Sequence, residues 1–498
     1  MNYCDDLLRH CKQDDHKRLF VELETGYDVT FGEVKQRMLA MASYLACAGV
    51  GPNTSVAIHL HNSIDAIVLH LATQYLGARS CFIDALVQAK SLAYYVRATN
   101  CILLATHATE LPIEVQAQSS LHILHASDIL ELSQHPAETC PQNPYKWQGD
   151  EVCYVYFTSG TTSEPKGVQL TSRNHENFTR ICDAYWKPVD TDSKHLCFVP
   201  FSHGFGTIFL VPLAMRTASE LYLLRAFHPL RVVAAIAAQG ITHLYGVPSH
   251  YQQLLRFPDV KRNLATLKMA FCAAAKLEHR LMIQWEQTTA TVLCEGYGLI
   301  ETCCGTVWRV GAPSLGTGHM GPCPDPSLVQ IGIFDEIDEP VQPGQIGQIA
   351  VRGPSVMHGY LNQDEETKRV IRRGWFFTGD EGYVTPEGEL FMTGRIKDII
   401  NIAGIKVSPY EVEAVLQKHP AVAESAVVAT PDTLYGEVVK AYVRRKPGVA
   451  VTERELVRFA AEHLINFQVP KRIEFVESFP LNNMGKLDRK QLRAQNAI

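Results

Sequence analysis

No apolar run in this 498-residue sequence reaches the roughly 18 residues a membrane-spanning helix needs, and like charges never run together over about five or six positions. The first absence argues against a transmembrane segment. The second, with a net charge of only -6 from 46 basic and 52 acidic residues, argues against nucleic acid or a membrane surface as partner. The stretch from Met1 to Arg18 is polar and has no apolar h-region, so no secretory leader is expected there. Although cysteines number 14, no CxxC pair occurs. Scattered thiols of this kind read as buried free cysteines in a reducing compartment, the cytoplasm. The adjacent Cys303-Cys304 suits neither a structural disulfide nor a metal site. There is no internal repeat, low-complexity tract or Ser/Gly-rich linker, so any domain boundary is a tight hinge.

With 46% hydrophobic and 20% charged residues, the chain can bury large cores but is too long for one domain. Apolar strand-like runs alternate with amphipathic helical stretches, the pattern of α/β layers. A strand is expected over Val56 to Ile58, then a helix from Ile64 to Tyr75 that stops at Gly77. Another strand is expected from Ile241 to Val247, with Pro248 opening a helix through Leu255. From about Gly311 to Gly394 glycine and proline recur and runs are short, which reads as β-hairpins in a small β-barrel-like part. After Lys397 a helix (Pro409 to Lys418), a strand (Glu424 to Thr430) and a helix (Glu453 to Leu464) suggest a small α+β domain. The expected architecture is a large N-terminal domain of layered α/β sheets over residues 1–395 and a small C-terminal domain over 396–498.

The apolar run Val152 to Phe157 ends in Thr158-Ser159-Gly160-Thr161-Thr162-Ser163-Glu164-Pro165-Lys166-Gly167. Small residues let backbone N–H groups approach phosphate oxygens, hydroxyls donate further bonds, and a lysine neutralises charge. The spacing is not GxxxxGK[ST], so a P-loop kinase or ATPase is not indicated. This stretch resembles the TSGTTGxPKG signature of the adenylate-forming superfamily, which includes acyl-CoA synthetases, aryl-CoA ligases, nonribosomal-peptide adenylation domains and firefly luciferase. Thr30-Phe31-Gly32-Glu33, Gly49-Val50-Gly51-Pro52 and Pro470-Lys471 also stand where the family keeps similar residues, so the likeness covers nearly the whole chain. Ser163 departs from the usual glycine.

The resemblance implies ATP and Mg²⁺ as cofactors, with Thr158, Ser159, Gly160, Thr161, Thr162 and Lys166 around the polyphosphate. Gly296-Tyr297-Gly298-Leu299-Ile300-Glu301 resembles YGxTE, which puts Tyr297 and Gly298 at the adenine and Glu301 on the metal. An aromatic face for a base and a hard carboxylate for a hard cation make physical sense. Ile300 replaces a threonine and cannot donate to phosphate. Ala273 and Ala274 replace glycines in a loop edging the acyl group and the adenine. Trp375 to Asp380 and Gly394 to Asp398 match closely, which assigns Asp380, assisted by Arg395, to the ribose hydroxyls.

By the same resemblance the small domain is mobile. Lys486, in Pro480 to Arg489, reaches into the site as the carboxylate attacks the α-phosphorus. Lys397 is the hinge, and Gly404, after Ala403 in place of a common glycine, lines the channel of the attacking thiol. Phe201 to Gly206 resembles a PLFHxxG stretch, which puts His203 at the carboxylate end of an acid pocket walled by Gly246 and Ala273. No aspartate stands between Phe201 and Leu213 to pair an amino-acid ammonium, so an uncharged acyl or aryl acid is favoured. The implied activity is an acid–thiol ligase that forms acyl-AMP and then a thioester, most simply of CoA. A carrier protein's phosphopantetheine is the alternative acceptor, and a relative that only binds nucleotide is the alternative from another class.

Overall fold

The computed structural model describes residues 3–135, 143–158, 164–186, 189–275, 277–316, 318–481 and 486–495. Ser55–His59 is buried along its whole length, and the helix Ile64–Tyr75 that follows is buried at nearly every position. Such continuous burial is what a parallel strand covered on both faces requires. Parallel strands Val152–Thr158, Arg79–Phe82, Ser55–His59, Leu103–Thr106 and His122–His125 lie side by side in a seven-stranded sheet, with Lys166–Thr171 and Gly359–Tyr360 added antiparallel at one edge. A second, eight-stranded sheet runs parallel from Val292–Tyr297 through Met269–Ala273, His243–Gly246, Lys194–Cys197 and Glu220–Leu223 to Arg18–Glu22. Its antiparallel edges are Val307–Arg309 and Asp28–Thr30.

One continuous apolar core joins both sheets through the helices Phe31–Cys47 and Ile64–Tyr75. Thr30-Phe31-Gly32-Glu33 starts the first of these as a capping box: Glu33 N–H donates to Thr30 Oγ1 at 3.2 Å and Thr30 N–H to Glu33 Oε2 at 2.7 Å. The hairpins expected between Gly311 and Gly394 are present as a six-stranded antiparallel sheet. Its hydrogen-bonded path runs from His319–Pro322 to Gln330–Phe334 and does not join its ends among the described residues, so it is an open sheet where the sequence suggested a small barrel. A further five-stranded sheet, built from residues between 400 and 475, carries the helices Pro409–Leu416 and Glu453–His463 and has its own core. The architecture is thus a large N-terminal part of mixed α/β sheets and a smaller C-terminal α+β part, as the sequence indicated. Among the described residues no helix is long and apolar enough to cross a membrane, and every described cysteine is a free thiol.

Ile400–Ile402 and Ile405–Val407 pair through a two-residue turn in which Ala403 and Gly404 have φ of 48° and 90°. Two left-handed residues are the signature of the type I′ turn that suits strand twist. Glycine takes this conformation freely, whereas alanine is disfavoured by roughly 1–2 kcal/mol. The Ala403 side chain is exposed, and its N–H donates to Tyr435 O at 2.9 Å, a backbone bond that glycine would keep. Ala403→Gly is expected to raise the urea midpoint of the transition that melts this sheet, by about 1 kcal/mol in stability.

Candidate active site

In open α/β sheets ligands collect beyond the carboxyl ends of the strands, and here Val152–Thr158, Met269–Ala273 and Val292–Tyr297 end together with residues from the antiparallel sheet. Thr158 pairs with Lys166 across the hairpin, and these two form the feet of the hydroxyl-rich loop. Ser159, Gly160, Thr161, Thr162 and Ser163 lie outside the described residues. Lys166 pairs with Glu366, and its amine sits 5.1 Å from the centre of the Tyr360 ring. The Tyr360 hydroxyl donates to Glu301 Oε1 at 3.0 Å. Glu301 is buried, which pushes its carboxyl above the usual range, and the Tyr360 hydroxyl works against that shift. Among the described residues no group of three or more His, Cys, Asp or Glu side chains forms a metal cage. A lone buried carboxylate does suit Mg²⁺, which keeps waters and shares its shell with phosphate oxygens.

Asp380, on Trp375–Val384, stands directly opposite Arg395 at the end of Glu389–Arg395. Arg395 Nε is 3.1 Å from Asp380 Oδ1, and the Tyr297 hydroxyl donates to Oδ2 at 2.9 Å. Burial pushes the Asp380 carboxyl up, and Arg395 and Tyr297 oppose it. Gly298 next to Tyr297 admits no side chain, because a Cβ would come within 2.7 Å of Cys304 O. Ala274 has φ 68°, so it occupies the left-handed conformation for which the family's glycine is suited. Ile300 heads the short turn Ile300–Thr302, partly exposed. The neighbouring Thr302 hydroxyl is engaged with Leu299 and Thr306, so it does not replace the missing one.

Lys486 comes into this group from the far end of the chain. It lies within electrostatic reach of Asp380, Arg395 and Cys304, and burial, with Arg395 adding to it, pushes its ammonium down to about 8. The segment that delivers it is firmly held. Asp488 N–H donates to Pro480 O at 2.8 Å, Leu481 bridges Leu487, and Asp488 caps the helix Arg489–Ala494. Arg489 makes a bidentate pair with Glu413 at 2.7 and 3.0 Å, donates to Val427 O, and lies 4.8 Å from the centre of the Tyr410 ring. Lys397, on the turn Ile396–Asp398, is lowered by burial and by Arg395. The adjacent Asp398 takes Arg493 at 2.6 Å.

His203 Nε2 lies 3.1 Å from Asp84 Oδ2, and Ser202 donates to the same oxygen at 3.4 Å. Burial works against ionisation of Asp84, but these bonds and Leu86 N–H outweigh it and hold the carboxyl below its usual range. Asp84 escaped the sequence reading because it enters from another strand end, 119 residues away. The Cys304 thiol reaches His203 O at 3.7 Å. Cys304 and Ala273 border a narrow apolar pocket with Phe205, Phe209, Phe271 and Trp308. Gly246 is one strand over, paired with Cys272, and does not line it. Gly404 is exposed on its hairpin, beside Lys406 paired to Glu336, and is not part of the group around Lys486. The structure therefore brings Lys486, Asp380, Arg395, Tyr297, Glu301, Lys397, His203 and Ala273 to one cleft and leaves Gly246 and Gly404 outside it.

Truncating one member of a buried ion pair strands the other charge, at about 3–5 kcal/mol. Arg489→Ala is expected to destabilise the C-terminal part by that amount in chemical denaturation, with most of the loss recovered in Arg489→Met/Glu413→Leu.

The AMP-binding enzyme family matches residues 7–361, and its C-terminal domain matches residues 411–486. A long-chain-fatty-acid–CoA ligase of Bacillus subtilis is 30% identical over 94% of this chain and 90% of its own length. A 2-succinylbenzoate–CoA ligase of a Geobacillus strain is 30% identical over 93% of this chain and 92% of its own. MatB of Rhodopseudomonas palustris in its ATP-bound form superposes with a TM-score of 0.91 at 26% identity, covering 99% of both chains. Its apo form, with the same coverage at 25% identity, gives 0.81, so the arrangement here is nearer the ATP-bound one. The chain belongs to the AMP-binding enzymes, the adenylate-forming superfamily its motifs resemble.

Proposed function

We propose that this enzyme activates a carboxylic acid with ATP and passes the acyl group to the thiol of CoA. A carboxylate oxygen attacks the α-phosphorus, the bond to the bridging oxygen of pyrophosphate breaks, and acyl-AMP forms. The thiol then attacks the acyl carbon, and AMP leaves as the thioester forms. The seating of Lys486 beside Asp380 and Arg395 carries the reading, because it brings a desolvated ammonium to the cleft where the nucleotide's charge develops. The names of the relatives favour free CoA over a carrier-bound arm.

In this reading Thr158, Ser159, Gly160, Thr161, Thr162 and Lys166 receive the polyphosphate, and Tyr297, Gly298 and Ala274 border the adenine. Asp380, fixed by Tyr297 and Arg395, takes the ribose diol. Glu301, buried and held by Tyr360, would hold a Mg²⁺ ion that neutralises phosphate charge. His203 orients the acid's carboxylate end, and Ala273 lines its pocket. Residues 1–395 and 396–498 act as two lobes hinged at Lys397. A turn of the small lobe would withdraw Lys486 and bring the Gly404 hairpin to the thiol's path. Free thiols throughout the described residues fit a cytoplasmic setting.

Lys486→Ala should lose about 3 kcal/mol of transition-state stabilisation, a hundredfold or more, in ATP–pyrophosphate exchange. Thioester formation from supplied acyl-adenylate should be nearly unchanged; equal loss in both would contradict alternating use. The ammonium is present below its value of about 8 and lost above it. Adenylation kcat/KM, which reports the free enzyme, should therefore fall as pH rises through about 8. Lys486→Arg, charged throughout, should remove that limb from whatever activity it retains.

A further inference from the structure

The main chain at His203 is fixed before its ring is considered. In the turn Phe201–His203, Phe201 N–H donates to Oδ1 of the buried Asn62 at 3.0 Å. Asn62 Nδ2 in turn donates to Val199 O at 2.9 Å and to Leu224 O at 3.2 Å. Gly204, which ends the turn at φ 73°, packs so closely that a Cβ would lie 2.8 Å from Cys304 Sγ. The turn is thereby held beside the cleft, because the Cys304 thiol that reaches His203 O also stands within electrostatic reach of Lys486. What remains to be fixed is the imidazole, which can turn about two side-chain bonds.

Asp84 removes that freedom. It follows the strand Arg79–Phe82, whose Phe82 pairs with Tyr156, two residues before the foot of the hydroxyl-rich loop at Thr158. Its own turn clamps it: Leu86 N–H donates to Oδ1 at 2.8 Å, and Val87 N–H donates to Asp84 O at 2.9 Å. The second carboxylate oxygen, Oδ2, takes the Ser202 hydroxyl at 3.4 Å and faces His203 Nε2 at 3.1 Å. These bonds hold the carboxyl below its usual range, so it is ionised and can only accept. Nε2 then carries a hydrogen, and Nδ1, which bonds nothing among the described residues, is the nitrogen left for a guest. His59 and His61 also lie within electrostatic reach of Asp84, but His59 is engaged with Thr106 and Val87, and among the described residues neither bonds the carboxylate.

We infer that Asp84 is a positioning residue for acid activation: it holds His203 by the Nε2–H and so aims Nδ1 at the carboxylate of the acid. The inference rests on the ligase reading above and adds to it a residue 119 positions from the histidine it serves. To hold Asp84 and the acid together the ring donates from both nitrogens, as an imidazolium between two carboxylates. That charge screens the incoming carboxylate from Asp84, which would otherwise repel it. A ring held at one nitrogen meets the acid in one orientation, and orientation of the attacking group lowers the barrier to attack on phosphorus.

The test is a double-mutant cycle in ATP–pyrophosphate exchange, run on the full-length enzyme with the best acid from a panel of fatty and aryl acids. Asp84→Asn keeps the size and removes the charge. It should lower kcat/KM for the acid by roughly 10- to 100-fold, the range of one hydrogen bond to a charged group, and leave KM for ATP unchanged. His203→Gln should cost about as much, and Asp84→Asn should cost nothing further in that background. Losses that multiply, a silent Asp84→Asn, or a KM for ATP that rises alongside would overturn the inference, while exchange by the wild type keeps the ligase reading. If the wild type exchanges on no acid, the ligase reading fails, and the ring is followed directly in ¹⁵N-histidine spectra, with His203→Gln identifying its peaks. His203 peaks that move in Asp84→Asn keep Asp84 as the group that sets the ring, and peaks that stay in place overturn that as well.

Discussion

The arrangement turns on a buried amine next to like charge. Lys486 sits beside Arg395 in the cleft, where burial alone disfavours its charged form. Asp380 offsets part of that penalty and the helix segment behind supplies the rest of the constraint: Arg489 is locked to Glu413 and Val427, so Lys486 is presented by a rigid element. A cationic cleft with too little negative charge is poised for an anionic guest. Polyphosphate and carboxylate would complete the charge balance, and the interaction grows as charge develops on the transferring oxygens.

The negative side of the cleft is built in a matching way. Glu301 and Asp380 are both buried carboxylates raised by burial, Glu301 also by the charge of Asp380, and a tyrosine hydroxyl opposes the shift at each: Tyr360 for Glu301 and Tyr297 for Asp380. The tyrosines come from different elements than the carboxylates they hold, so the strand ends of the two large sheets and the antiparallel sheet are tied together at the point where the substrates would meet. In the ligase reading proposed above, acid, phosphate and ribose would each have a rim of their own around Lys486.

Much of this was legible in the sequence, for identifiable reasons. Ile64–Tyr75 and Glu453–His463 were readable because periodicity and end signals are local. Asp380 and Lys486 were singled out because their motifs are contiguous, as was the hydroxyl-rich loop, most of which lies outside the described residues. What was not readable is non-local. His203 finds Asp84, Glu301 finds Tyr360, and Glu413 finds Arg489 across separations of 119, 59 and 76 residues, and no short pattern signals such a pair. Hairpins between Gly311 and Gly394 were evident from turn residues, but whether their sheet closes depends on which distant strands pair. Gly246 was assigned as a pocket wall, but it is not among the residues that line the apolar pocket beside Ala273. Ala274 and Ala403 stood out as replacements for glycine, and the structure keeps the left-handed backbone at both.

The account depends on the Lys486 amine being desolvated in the cleft. Its titration can be followed directly by NMR of the reductively ¹³C-methylated enzyme, with Lys486→Arg identifying the resonance. The account requires that resonance to titrate near 8 in the free enzyme and to move upward when a non-reacting acyl-adenylate analogue supplies negative charge. A Lys486 signal that titrates with the surface lysines and ignores the analogue would contradict it.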